Sequence, residues 1–281
     1  MSTEMRIDAL LPPDMARRAE YVGVSKAEAP AVSVFALGIL AGAFIALGAV
    51  FATTVAAGTA ASWPFGVSRL LTGLVFCLGL ILVVVGGAEL FTGNNLIVMA
   101  WASGKVSTLS LLRNWTIVYA GNFVGSVGTA VLVLLSKQHT LGGGAVGSTA
   151  LGIANGKVGL GFGQAIALGI LCNALVCMAV WLTFSARSTM DKIMAIIFPI
   201  TGFVAAGFEH SVANMYFIPM GLLIKAFDPT FTAGTGLSLA DLTWGTFLIN
   251  NLLPVTIGNI IGGTVLVAGV YWAVFLRTHK S

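Results

Sequence analysis

Two acidic side chains, Glu89 and Glu209, lie deep inside long apolar stretches, and His210 follows the second directly. Each sits in an interruption rich in glycine and polar residues, Gly86 to Asn95 in one case and Gly207 to Asn214 in the other. A carboxylate buried in hydrocarbon is costly unless it is hydrogen-bonded or protonated. Glu209 beside His210 could serve as an acid–base pair, either for an intramembrane enzyme or for moving a solute. An anion arriving beside the imidazole would draw a proton onto it. If the ring then passed that proton on, the solute would cross as a neutral acid. Thr92, in the first interruption, offers one donor and two acceptors to a solute, or a cap to the following helix. The enzymatic reading also needs a nucleophile or a metal-ligand set, and neither accompanies the pair.

The rest of the chain explains why such residues would be tolerated. Of its 281 residues 57% are hydrophobic and only 9% are charged, whereas a soluble domain carries about a quarter charged residues. So little charge cannot cover a soluble fold of this size. Apolar runs of helix-spanning length recur instead, at roughly 30–57, 70–100, 110–136, 161–184, 193–224 and 245–276. The net charge of +4 does not point to nucleic acid, because the cations gather at segment ends. Cys77, Cys172 and Cys177 fall inside apolar runs, so neither a disulfide nor a metal site is expected. Residues 1–29 are polar and mixed in charge, unlike a secretory signal.

Six spans put both termini on one side. Arg6, Arg17, Arg18, Lys26, Lys105, Arg113, Arg187, Lys192, Arg277 and Lys280 would share that side, against Arg69, Lys137, Lys157 and Lys225 on the other. Ten cations against four place the termini in the cytoplasm. The glycine-rich stretch 141–163 then reads as a flexible outer connection, overlapping a periplasmic linker over 137–160. In the N-terminal tail, Leu11, Met15, Ala19 and Val22 recur at helical spacing among Arg17, Arg18 and Glu20. That pattern predicts an amphipathic helix along the membrane surface, within residues 1–29.

An internal repeat organises the spans. Ala36-Leu37-Gly38-Ile39-Leu40 recurs as Ala167-Leu168-Gly169-Ile170-Leu171. Gly87, Glu89 and Asn94 recur as Gly207, Glu209 and Asn214, and Asn114, Gly121-Asn122 and Gly125 as Asn251, Gly258-Asn259 and Gly262. Residues 30–136 and 161–276 therefore read as two copies of a three-helix unit, with 277–281 as a tail. An odd number of crossings per unit inserts the copies in opposite orientations, with the solute site between two broken helices near the midplane. Half-helices starting at the breaks would aim unpaired N–H groups and partial positive charge inward, which suits a small anion. Bare carboxylates would repel that anion, so Glu89, Glu209, Asn94 and Asn214 are read as supports of the broken backbone. The other histidines, His139 and His279, fall in a loop and the tail. Phe76, Leu80 and Phe203 are by themselves ordinary packing residues, and Lys157 an ordinary loop lysine.

These stretches resemble the formate–nitrite transporter family. The likeness rests on Gly87-Ala88-Glu89-Leu90-Phe91-Thr92-Gly93, on Gly207-Phe208-Glu209-His210-Ser211-Val212-Ala213-Asn214-Met215, and on the run from Pro254 to Gly263. It extends from Leu10-Leu11-Pro12 to Arg277. The resemblance implies an all-α, aquaporin-like protomer in a homopentamer, each protomer with its own pore and no cofactor. It implies that Thr92 and His210 line the pore centre with Asn173 and Asn259 as polar neighbours. Phe76, Leu80, Val176 and Phe203 would be constrictions, and Lys157 an anion-attracting residue toward the periplasmic mouth. It further implies pH gating involving the first break and the N-terminal helix. Phe208 and the run from Tyr216 to Gly221 resemble the formate branch, while Glu89 stands where formate members carry Asp and nitrite members Glu. The expected protein is a bacterial inner-membrane channel for formate and related small monocarboxylates or nitrite. A nitrite or hydrosulfide channel on the same scaffold is the alternative.

Overall fold

Residues 9–59 and 62–277 are described by the computed structural model. Arg6, His279 and Lys280, and with them most of the tail, lie outside the described residues. All regular elements among the described residues are helical. Six helices are long and apolar enough to cross a membrane: α2 (Ala31–Ala56), α3 (Phe65–Gly86), α5 (Thr108–Leu135), α7 (Phe162–Ser185), α8 (Thr189–Ala206) and a sixth span (Trp244–Phe275) with two π-helical stretches. Shorter helices complete the chain, namely α1 (Pro12–Glu28), α4 (Val98–Ala102), α6 (Ala145–Val158), α9 (Ser211–Phe227) and α10 (Pro229–Gly234).

Helix starts follow local chemistry. Pro12 opens α1, where its missing N–H is harmless. Ser107 caps α5 through Ser110 N, and Ser188 with Asp191 forms a capping box on α8. Spans α3 and α8 end alike, at Gly87 (φ 76°) and Gly207 (φ 77°), in the left-handed region where an L side chain is strained. Ala88 N then donates to Val83 O, and Phe208 N to Phe203 O, closing each helix end.

The helices meet through small residues. A Cβ on Gly125 would collide with the carbonyl of Ile39 in α2, and one on Gly262 with the carbonyl of Ile170 in α7. Backbones this close exclude any larger side chain, which is how membrane helices gain dispersion contact without a hydrophobic drive. Large side chains point outward instead: Val32, Phe65, Leu109, Leu132, Phe198 and Val265 are all exposed, as a lipid-facing surface requires.

Three expectations are corrected. The stretch 141–163 is not a flexible connection, because α6 occupies most of it and buries Val146, Ala150, Leu151 and Ala154. The apolar face expected on the N-terminal helix is only partly the face it buries. Its inner face is formed by Met15, Ala16, Ala19, Gly23 and Ala27, and Gly23 abuts Ile97 and Ala100. Leu11, assigned to that apolar face, is 69% exposed. Finally, the first break leads into a 3₁₀ turn (Gly93–Ile97) and the short α4, rather than into one regular half-helix.

Candidate functional site: two helix breaks joined by a threonine and a histidine

The two breaks use the same hydrogen bonds at constant offsets. After α3, Glu89 N donates to Leu37 O at 3.2 Å, and after α8, Glu209 N donates to Leu168 O at 3.3 Å. Asn122 accepts from Phe91 N and donates to Gly38 O and Glu89 O. Asn259 accepts from Ser211 N and donates to Gly169 O and Glu209 O. One buried amide thus satisfies three backbone groups that a broken helix leaves without partners.

Each carboxylate is held by a lysine and an asparagine. Lys26 Nζ lies 2.7 Å from Glu89 Oε1, and Lys157 Nζ lies 2.7 Å from Glu209 Oε1. Asn94 Nδ2 donates to Glu89 Oε2 and to Asn114 Oδ1, and Asn214 Nδ2 donates to Glu209 Oε2 and to Asn251 Oδ1. Asn114 and Asn251 in turn donate to the backbone carbonyls of Lys26 and Lys157. Lys157 is therefore no loop lysine. It sits near the end of α6, its side chain only 16% exposed. Lys26 was missed as a site residue; its only sequence signal is a spacing of 131 from Lys157, the offset that also relates Gly38 to Gly169.

The halves are not identical, and Asn251 Nδ2 also donates to Glu209 Oε2 at 3.2 Å. Lys26 also donates to Asn94 Oδ1 at 3.0 Å, whereas Asn214 Oδ1 is buried without a partner. Lys157 instead holds its ammonium 5.4 Å from the centre of the Phe217 ring.

Between the breaks, Thr92 Oγ1 and His210 Nε2 are 2.9 Å apart. His210 precedes α9, and its Nδ1 accepts from Ala213 N at 3.0 Å, capping that helix. In the neutral ring Nδ1 is then the acceptor, so the proton resides on Nε2 and is donated to Thr92. Thr92 makes no side-chain cap on the turn that follows it, so the capping role expected of it is absent, while His210 caps the helix after the other break. The Thr92 O–H has no further partner among the described residues. The Thr92 carbonyl accepts from Asn173 Nδ2 at 3.3 Å and from Cys177 Sγ at 3.4 Å.

Two cavities approach this pair. The proximal one, about 310 Å³, lies against α1 and is lined by Leu80, Glu89, Asn94 and Gly93. The distal one, about 280 Å³, is lined by Phe76, Phe203, Glu209 and His210. They share no lining residue, and Thr92 between them is fully buried. Phe203 stacks over His210 at 5.9 Å and meets the edge of Phe76 at 5.7 Å. Of the expected site residues, Phe76, Phe203, Lys157, Glu209, Asn214 and His210 border the distal cavity, and Leu80, Glu89 and Asn94 the proximal one. Asn173, Val176 and Asn259 border neither. Asn259 is committed to the second break, and Asn173 to Thr92, Asn95 and the Asn259 carbonyl.

A chain with six apolar helices, two broken segments and a narrow polar bridge between opposed cavities is built as a membrane channel or transporter. Residues 13–273 match the formate/nitrite transporter family, and the chain belongs to that family. It is 46% identical to the formate channel FocA of Escherichia coli K12, over 99% of both chains. The formate channel FocA of Haemophilus influenzae is 42% identical, over 96% of each. A solved structure described as a pentameric formate channel with formate bound shares 49% identity and superposes with a TM-score of 0.82, covering 88% of this chain and 98% of that one. An ion channel of the same family, at 27% identity, superposes with a TM-score of 0.78.

Proposed function

We propose that this protein is a formate channel of the bacterial inner membrane, assembled as a homopentamer with one pore in each protomer and both termini cytoplasmic. The observation that carries the reading is the Thr92–His210 bridge, set between two cavities at the junction of the two breaks. Formate has two acceptor oxygens and no bulk. It can replace the intramolecular bond, accepting from the Thr92 hydroxyl and from His210 Nε2–H while Phe76 and Phe203 exclude its water shell. The likeness to formate channels over nearly the full chain favours formate over nitrite or hydrosulfide as the main solute. The four-part sets Lys26–Glu89–Asn94–Asn114 and Lys157–Glu209–Asn214–Asn251 support an inverted repeat longer than the three-helix unit, with α1 and α6 as equivalent elements. The cytoplasmic face is then the one bearing α1. There Lys105 pairs with Glu20, and Arg18, Lys26 and Lys192 border the proximal cavity, as the positive-inside rule requires.

The cap on α9 bears on the mechanism. Nδ1 of His210 is occupied by the Ala213 amide, so a second proton on the ring requires giving up a cap worth about 1 kcal/mol and burying a cation. Anion flow past a neutral, donating ring needs neither. Formate flux into proteoliposomes, with current and internal pH recorded together, tests this. Current without acidification is expected; acidification without current would assign neutral-acid transfer and a protonated His210. No formate flux, with nitrite carried instead, would overturn the solute assignment.

A further inference from the structure

Arg69 has no part in the two matched breaks, yet it borders the distal cavity together with His210, Lys157 and Glu209. It projects from the first turns of α3 toward the end of α8. Its Nε donates to Ala205 O at 3.0 Å, and its Nη2 donates to Val204 O. Those carbonyls belong to the last turn of α8, whose C=O end carries partial negative charge, and Val204 O also accepts from Gly207 N. They stand directly before the Gly207 break and so face the path to His210. The guanidinium has five N–H donors, and these bonds use two, leaving donors for the cavity.

Charge bookkeeping makes this residue consequential. The proximal lining holds three cations, Arg18, Lys26 and Lys192, against one carboxylate, Glu89, a formal +2. The distal lining holds Arg69 and Lys157 against Glu209, a formal +1, and Lys157 is spent on Glu209 at 2.7 Å. The whole net positive charge of the distal lining is therefore that of Arg69. The matching position in the second half is Thr189, so the proximal mouth has no counterpart of this device.

We propose that Arg69 is the anion-capture residue of the distal mouth: it covers the α8 carbonyls that would repel an anion and presents the remaining positive charge to an entering carboxylate. This rests on the channel reading above. Removing the charge leaves the distal lining formally neutral and the proximal lining at +2, so the loss is confined to one direction of entry.

The test uses the full-length channel in planar bilayers, with formate supplied from either face and half-saturating concentrations read for each. Arg69→Gln should raise the distal value roughly three- to tenfold and leave the proximal one unchanged, since steering by a single mouth charge acts on entry from that side. Arg69→Lys, which keeps the charge, should stay within about twofold of wild type. In the unmodified protein, raising ionic strength on the distal side with a large impermeant salt should mimic Arg69→Gln, a readout independent of whether that variant folds. An equal change from both faces, or no change with wild-type-like rectification, overturns the proposal. An unmodified protein that carries no formate at all overturns the channel reading instead.

Discussion

Thr92 and His210 divide a single task. The imidazole is held by its cap on α9, so in the proposed pore Thr92 is the side chain that exchanges its partner for a solute. Thr92→Val removes that hydroxyl at nearly constant volume. One hydrogen bond is worth roughly 0.5–1.5 kcal/mol net, so formate flux should fall about three- to tenfold while the melting temperature stays near wild type. An unaltered flux would reduce Thr92 to a packing residue. Lys157 carries a different burden. Lys157→Met leaves the Glu209 carboxylate unpaired in a site only 6% exposed, and breaking one side of such a pair costs about 3–5 kcal/mol. Adding Glu209→Gln should restore much of that stability in chemical denaturation, because a neutral amide no longer needs the lysine. Failure of the double variant to recover would locate the loss elsewhere, for instance in the Phe217 contact.

At the scale of elements, the breaks exist because neighbouring helices come close enough to serve them. Asn122 and Asn259 reach three backbone groups each only while α5 and the sixth span lie against α2 and α7. Gly125 and Gly262 set those distances. Gly262→Leu drives a side chain into the Ile170 carbonyl and must spread the pair, costing at least about 1–3 kcal/mol. The outcome to look for is a loss of thermal stability together with faster amide exchange in residues 207–214, as Asn259 withdraws. A stable variant with an undisturbed second break would disprove the coupling. Glu89, Asn94 and the N-terminal helix are linked in the same way. Lys26 ties the end of α1 to the first break, so movement of α1 would be felt at Glu89.

Over the whole molecule, charge is arranged at the two ends and apolar surface between them. Outside the spanning helices, His139 Nε2 lies 3.1 Å from Asp228 Oδ2, fastening the turn after α5 to the start of α10. The hydrogen bond from His139, followed by that from Phe231 N, holds the Asp228 carboxyl below the usual aspartate range. A depressed pKa of this kind contributes stability that is complete above the unfolded-state value and is lost as pH falls through the folded one. Acid should therefore loosen this corner only below the ordinary aspartate range. Asp228→Asn should remove that acid-sensitive increment from the pH dependence of melting, while leaving neutral-pH transport intact. A pH–melting curve unchanged by the substitution would show that the corner does not limit stability. The exposed apolar flanks serve both lipid and neighbouring protomers in the proposed pentamer. Native mass spectrometry in mild detergent should give five times the 29.0 kDa chain mass, and a lone protomer would refute the assembly.

Much of this was legible in the sequence because it rests on local spacing. Six apolar runs of spanning length need no partner to be recognised, and glycine with a polar cluster inside such a run marks a candidate break. The repeat, too, is visible as matched residues at fixed offsets, and it singled out Glu89, Glu209, Asn122 and Asn259 before any contact was known. What the sequence left undecided depends on groups far apart in the chain. The lysines that neutralise Glu89 and Glu209 lie 63 and 52 residues away, on helices whose sequences read as a surface anchor and a flexible connection. α6 was unreadable for a physical reason: glycine is a poor helix former, and only packing against α9 outweighs that preference. Likewise Thr92 and His210 come from non-equivalent places in their breaks, 118 residues apart. Their meeting, and the use of His210 as a cap, were decided by the tertiary packing of the two halves, because only the closed fold brings one break against the other.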